Sequence, residues 1–253
     1  MLFDDLIVLL PRVLAAALVG YLLGGIPFAY LVARLKGVDI FATGSRRAGT
    51  ANVFWHVGRY RGMMVFACDV LKGAAAVYVA WMLGSYELLG LVAGAAAIAG
   101  HWKSIFTGFK GGDGMVVLVG VSLAYLNWFI LIGIVVGIVF VLLFRRSPFR
   151  SSIGIFLGYG VMLALNQVIS HRGLDVMLGL TALALVVITH NILTHADHRP
   201  ETAPSVIDPD LLIEDTRDVL NEAAGLSEDA ILRQVIPQDD EEGGPQRTTR
   251  QGD

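Results

Sequence analysis

Gly114 to Phe144 read GMVVLVGVSLAYLNWFILIGIVVGIVFVLLF, a run without a charged residue. One continuous helix over it would be about 46 Å long at about 1.5 Å per residue, too long for a hydrocarbon core about 30 Å thick. Such a core takes about 20 helical residues. The run therefore reads as two helices, 114–125 and 127–144, joined by a hairpin near Leu126 and Asn127. Its first arm is short for a full crossing. Comparable uncharged stretches lie at Val13–Ala33, Gly73–Tyr86, Leu88–Gly100 and Val176–Thr189. Working outward from them, the sequence predicts seven helices, roughly 6–34, 63–83, 87–105, 114–125, 127–144, 152–169 and 174–193. The expected fold class is all-α, a polytopic membrane protein with about seven transmembrane helices.

Composition supports that reading. Only 16% of residues are charged, against roughly 25% in soluble domains. Mean hydropathy is +0.65, on the membrane side of that comparison. Many of the 29 glycines fall inside the apolar runs, which suits close helix packing in lipid. The single cysteine, Cys68, excludes an intramolecular disulfide and a multi-cysteine zinc site. Asp4 and Asp5 stand where a signal peptide would be basic, so a cleaved leader is not expected.

Charge divides the chain in two. Residues 1–194 carry 14 Lys and Arg against 7 Asp and Glu, whereas residues 195–253 carry 5 against 15. Segment 195–253 is too polar to build its own core and reads as a mostly disordered acidic tail, with one short helix expected at Ser227–Val235. Residues 1–194 are the expected membrane domain. With the N-terminus outside, loops 34–62, 103–113 and 145–151 share one side with the tail. They hold Arg34, Lys36, Arg46, Arg47, Arg59, Arg61, Lys103, Lys110, Arg145, Arg146 and Arg150. The opposite loops offer only Arg172, so the basic side is expected to be cytoplasmic.

Four segments carry possible chemistry. Gly44-Ser45-Arg46-Arg47-Ala48-Gly49-Thr50-Ala51-Asn52-Val53 can present hydroxyl, amide and N–H donors to an anion, although taken alone it reads first as an ordinary connecting loop. Gly100-His101 followed by Phe109-Lys110-Gly111-Gly112-Asp113-Gly114 offers converging backbone N–H groups and a cation before a helix start. It is neither a dinucleotide-binding fingerprint nor a P-loop, since no strand precedes it. Asp69 and Lys72 stand at i and i+3 within a span, where ionisable residues face a partner, a cavity or a site. His190 to His198 reads HNILTHADH, but further ligands are not evident, so no metal is assigned.

Taken in order, GGIPF (24–28), LKGVDI (35–40), the Gly44–Val53 loop, DVLKG (69–73), Gly100-His101, FKGGDG (109–114) and Asn191-Ile192 resemble the bacterial acyl-phosphate-dependent glycerol-3-phosphate acyltransferases over about residues 14–194. The resemblance implies a seven-helix enzyme of the inner membrane. It would move an acyl chain from acyl phosphate to the 1-hydroxyl of glycerol 3-phosphate, giving lysophosphatidic acid, with membrane lipids around it and no cofactor. Nucleic acid is not an expected partner. By the same resemblance Ser45, Asn52, His101 and Asn191 are the catalytic candidates. Arg46, Arg47, Lys72, Lys110, Gly111, Gly112, Gly114 and Ser152 are the substrate and phosphate contacts.

The chain departs from the family pattern at several of these motifs. Arg46 and Arg47 stand where the loop usually reads Gly-Asn, Ala51 replaces a threonine, and Trp55 replaces an arginine. Asp113 replaces a lysine, Ser104 a proline, Ile188 a histidine and Thr194 an arginine. Asp113→Lys is accordingly expected to raise activity. Two functional readings remain: an active acyltransferase in which Arg46 and Arg47 supply the missing cations, or a catalytically silent relative that binds a lipid precursor or, through its tail, a protein partner. A small transporter is disfavoured, since no inverted repeat is evident and the polar groups gather at one face.

Overall fold

A computed structural model of the chain describes residues 2–84, 87–125, 128–144, 146, 147, 149–170, 173–195 and 220. Apart from Leu220 and the backbone of His195, the expected disordered tail lies outside these residues, as do the Ser227–Val235 helix, His198 and the Leu126-Asn127 turn. The side chain of His195 does too.

Among the described residues every element is helical: α1 (Leu2–Gly25), α2 (Phe28–Leu35), α3 (Thr50–His56), α4 (Arg59–Leu83), α5 (Glu87–Trp102), α6 (Met115–Ala124), α7 (Trp128–Leu143), α8 (Arg150–Leu165) and α9 (Leu174–His195). Among the described residues, four stretches are long and apolar enough to cross a membrane: Ile7–Leu35, Arg59–Leu83, Arg150–Ile169 and Leu174–Thr194. Three shorter apolar helices, α5, α6 and α7, complete the seven. The ten residues of α6 rise about 15 Å, half of a hydrocarbon core. Leu14, Leu18, Leu71, Val135, Ile138 and Leu142 are exposed along these helices, as lipid-facing side chains are.

Glycine sets the helix seams. A β-carbon on Gly24 would overlap the carbonyl of Ala97, so α1 lies flush on α5. On α7 and α8, Gly133 and Gly137 face Gly154 and Gly158. Each of these pairs is spaced i, i+4, the small-residue pattern that lets two backbones meet in lipid.

Two corrections to the sequence reading bear on function. The expected helix 6–34 breaks at Ile26-Pro27, because proline supplies no N–H and its ring disfavours helical backbone before it. The expected loop 34–62 contains α3, and α4 begins at Arg59 and not at residue 63.

Candidate active site

The break at Pro27 leaves carbonyls of the last turn of α1 without intrahelical partners. Two side chains take them up. Lys72 of α4 donates to the Ile26 carbonyl at 2.9 Å, and the Ser104 hydroxyl donates to the Gly25 carbonyl. Lys72 also pairs with Asp69 at 2.8 Å and lies 3.0 Å from Nδ1 of His101. An ammonium donating three times makes Nδ1 an acceptor, which places the His101 ring proton on Nε2. That nitrogen faces Gly112, where a β-carbon would collide with it. Asp69, Lys72 and His101 are all buried, so the cluster is a rigid base under the glycine loop.

The glycine loop is pinned to that base. Gly112 donates its N–H to the His101 carbonyl at 3.1 Å, and Phe109 donates to the Ser104 carbonyl at 2.8 Å. Gly114, at φ +79°, turns the chain into α6. Asp113 then caps that helix, its Oδ1 accepting from Met115 N–H at 3.1 Å, where a carboxylate also complements the helix dipole. The Asp113 carbonyl accepts from Trp102 Nε1 at 2.9 Å and from Asn191 Nδ2 at 3.1 Å.

The facing loop is organised by one buried amide. Asn52, 3% exposed, directs Nδ2 at the carbonyls of Ile40 (3.1 Å), Thr43 (3.0 Å) and Arg47 (2.9 Å). Its Oδ1 accepts from Ser45 N–H at 3.3 Å. The chain reverses around it with Gly44 at φ +52° and Arg46 at φ +56°, an unusual backbone for a side chain as long as arginine. Ala48 N–H donates to the Gly111 carbonyl at 3.1 Å and so joins the two loops. Arg47 carries the connection on to α9, with Nη1 on Asn191 Oδ1 (3.1 Å) and Nη2 on the Thr194 carbonyl and hydroxyl (2.7 and 2.8 Å).

Two cavities of opposite character adjoin this segment among the described residues, one touching Gly111 and Gly112 and the other Asp113. One, of about 330 Å³, is lined by Arg46, Arg47, Lys103, Lys110, Gly111, Gly112, His190 and Thr194, with Trp102 stacked 4.0 Å from the His190 ring. The other, of about 440 Å³, is apolar, runs between α6, α7 and α8, and is lined toward the glycine loop by Thr50, Trp55, Asp113 and Ser151. The first is built to hold a small anion. The second fits an alkyl chain.

Of the sequence candidates, Arg46, Arg47, Lys110, Gly111 and Gly112 line the basic cavity. Asn52 and Asn191 hold its walls, and Ser45 lies half-buried in the loop around Asn52. Lys72 and His101 sit beneath the loop, and Gly114 turns it. Ser152 is buried in α8 and lines neither cavity. Lys103 and His190 line the basic cavity and were not among the candidates. The available signal was positional: Lys103 follows the end of α5, and His190 and Thr194 share one face of α9 at i, i+4.

Residues 14–197 match the sequence family described as glycerol-3-phosphate acyltransferase. A glycerol-3-phosphate acyltransferase of Geobacter sulfurreducens is 34% identical over 174 residues, covering 68% of this chain and 87% of the relative. One of Thermosipho melanesiensis is 37% identical over 137 residues, covering 54% of this chain and 68% of the relative. Among solved structures, the glycerol 3-phosphate form of PlsY, an integral membrane glycerol 3-phosphate acyltransferase, matches with a TM-score of 0.60 and 27% identity over 76% of this chain and 96% of that one. The lysophosphatidic acid form matches with a TM-score of 0.58 over 75% and 94%.

Proposed function

Because the chain belongs to the glycerol-3-phosphate acyltransferase family, we propose that it moves a fatty acyl group from acyl phosphate to the 1-hydroxyl of glycerol 3-phosphate, giving lysophosphatidic acid. The observation that carries this reading is the pair of cavities, one basic and one apolar, that adjoin Gly111–Asp113. An acyl phosphate has a dianionic end and an apolar end, and the loop borders two spaces of those characters. The glycerol oxygen bonds to the acyl carbon, the bond from that carbon to the phosphate oxygen breaks, and the hydroxyl proton leaves with the phosphate.

Arg46, Lys103 and Lys110 supply cations and N–H donors for the phosphates, and Gly111 and Gly112 leave that part of the wall without side chains. Such donors, fixed before substrate arrives, also favour the charge that develops on the carbonyl oxygen. Asn52, Asn191, Arg47 and the Asp69–Lys72–His101 cluster are positioning residues in this scheme, and Ser45 belongs to the substrate-facing loop. The side rich in Lys and Arg is cytoplasmic by the positive-inside rule, with the enzyme in the bacterial inner membrane.

The test is phosphate release from palmitoyl phosphate by the full chain in detergent, with and without glycerol 3-phosphate. The expected result is release that requires glycerol 3-phosphate and is matched by lysophosphatidic acid. No turnover beside an active relative would favour the silent, lipid-binding reading. One observation supports that alternative: Trp55 and Asp113 line the apolar cavity and add no cation to the basic one.

A further inference from the structure

The end of the apolar cavity away from the glycine loop is lined by buried side chains, one of them polar. Ser122 lies on α6 toward that end and is fully buried. Its hydroxyl donates to the Leu118 carbonyl at 3.0 Å, so its oxygen is left to accept from the Tyr159 hydroxyl of α8. One proton per hydroxyl fixes this direction. The bond braces the Tyr159 ring across the gap between α6 and α8. Met162 and Ile130, each 2% exposed, line the same end of the cavity.

The opposite end is the site end, at Thr50, Asp113 and Ser151. From Ser151 to Tyr159 the axis of α8 advances about 12 Å. The walls between are apolar side chains and the glycines of the α7–α8 seam, which offer a chain no specific feature to stop against. The braced ring is the first such feature.

We propose that Tyr159, held by Ser122, sets the upper length of the acyl chain that the cavity accepts. This rests on the acyltransferase reading above and adds a specificity determinant to it. A chain that stops short of the ring gains with every methylene it buries, about fourfold each. A chain that reaches the ring gains nothing from further methylenes inside the cavity.

The experiment competes octanoyl, lauroyl and palmitoyl phosphate for the full chain in detergent with glycerol 3-phosphate, and reads the product ratio by mass. For wild type the preference is expected to level off with length. Tyr159→Ala, and independently Met162→Ala should the first variant fold poorly, should shift the palmitoyl-to-lauroyl ratio upward on the order of tenfold, as about two further methylenes become buried. Tyr159→Phe keeps the ring but loses the bond to Ser122, and should shift the ratio in the same direction by less than Tyr159→Ala. An unchanged ratio in folded, active Ala variants overturns the proposal. Should wild type turn over no acyl phosphate, the acyltransferase reading fails separately. The length limit is then read from thermal protection by the corresponding alkyl phosphates, where the same plateau and its loss in Tyr159→Ala are required.

Discussion

The two cavities that share Gly111–Asp113 are built by different physics. The basic one stands between loops, and its shape rests on a few directed hydrogen bonds: those of Asn52, of Arg47 and of the Asn191 amide. The apolar one stands between helices, and its shape rests on contacts spread along the α7–α8 seam and over many buried side chains. A directed network concentrates its sensitivity in single residues. Distributed packing dilutes it. Single substitutions should therefore break the basic side far more readily than the apolar side.

The largest effect is expected from Asn52→Ala. It removes the common partner of Ile40, Thr43, Arg47 and the Ser45 N–H at once, and leaves buried carbonyls unpaired. Arg46 and Arg47 would lose their placement, and a misplacement of about 1 Å costs on the order of a hundredfold in rate. Steady-state kcat/KM for glycerol 3-phosphate is the readout. A loss below tenfold would mean that the loop keeps its shape by other means and that the contrast between the cavities is weaker than argued.

Asp113 sharpens the comparison because it lies on the boundary. Read in sequence, it exchanges a phosphate-binding cation for an anion, and lysine there is expected to help. In the structure its carboxylate caps α6 and lines the apolar cavity, away from Arg46, Lys103 and Lys110. Asp113→Lys should then lower stability by about 1–2 kcal/mol, through the lost cap and a cation at a helix N-terminus. Activity should fall with it. Asp113→Asn, which can still cap, should stay near wild type in thermal unfolding and turnover. A gain on Asp113→Lys would show that the side chain at this position can reach the basic face.

Asp113 also shows where sequence stops being legible. Its identity and its place in FKGGDG are plain to read, but which side of the turn it faces depends on the positive φ of Gly114 and the cap it makes at Met115. The membrane helices were readable because uncharged runs of that length have few other uses. The break at Pro27 was signalled by the proline but masked by continuous hydropathy from Val13 to Ala33. Helix α3, seven residues between Gly49 and Gly58, was too short for periodicity to register. Lys103 and His190 meet only because α5 and α9 end at the same level, which no spacing along the chain reveals.

The smallest effects belong to the exposed cations. Arg46, Lys103 and Lys110 are solvent-exposed, and an exposed charge contact is worth little singly. Arg46→Gln, Lys103→Gln and Lys110→Gln should each raise KM for glycerol 3-phosphate by about twofold to fivefold and leave kcat nearly unchanged. Lys110 should stand at the upper end, because its Nζ is held 5.6 Å from the Phe41 ring centroid and so gives up less freedom on binding. Salt provides an independent check. At about 1 M ionic strength the screening length falls to about 3 Å, so the three variants and wild type should converge in KM. A single cation whose loss cost a hundredfold, and did so at high salt as well, would be a desolvated contact inside the site and not one member of a shared field at its rim.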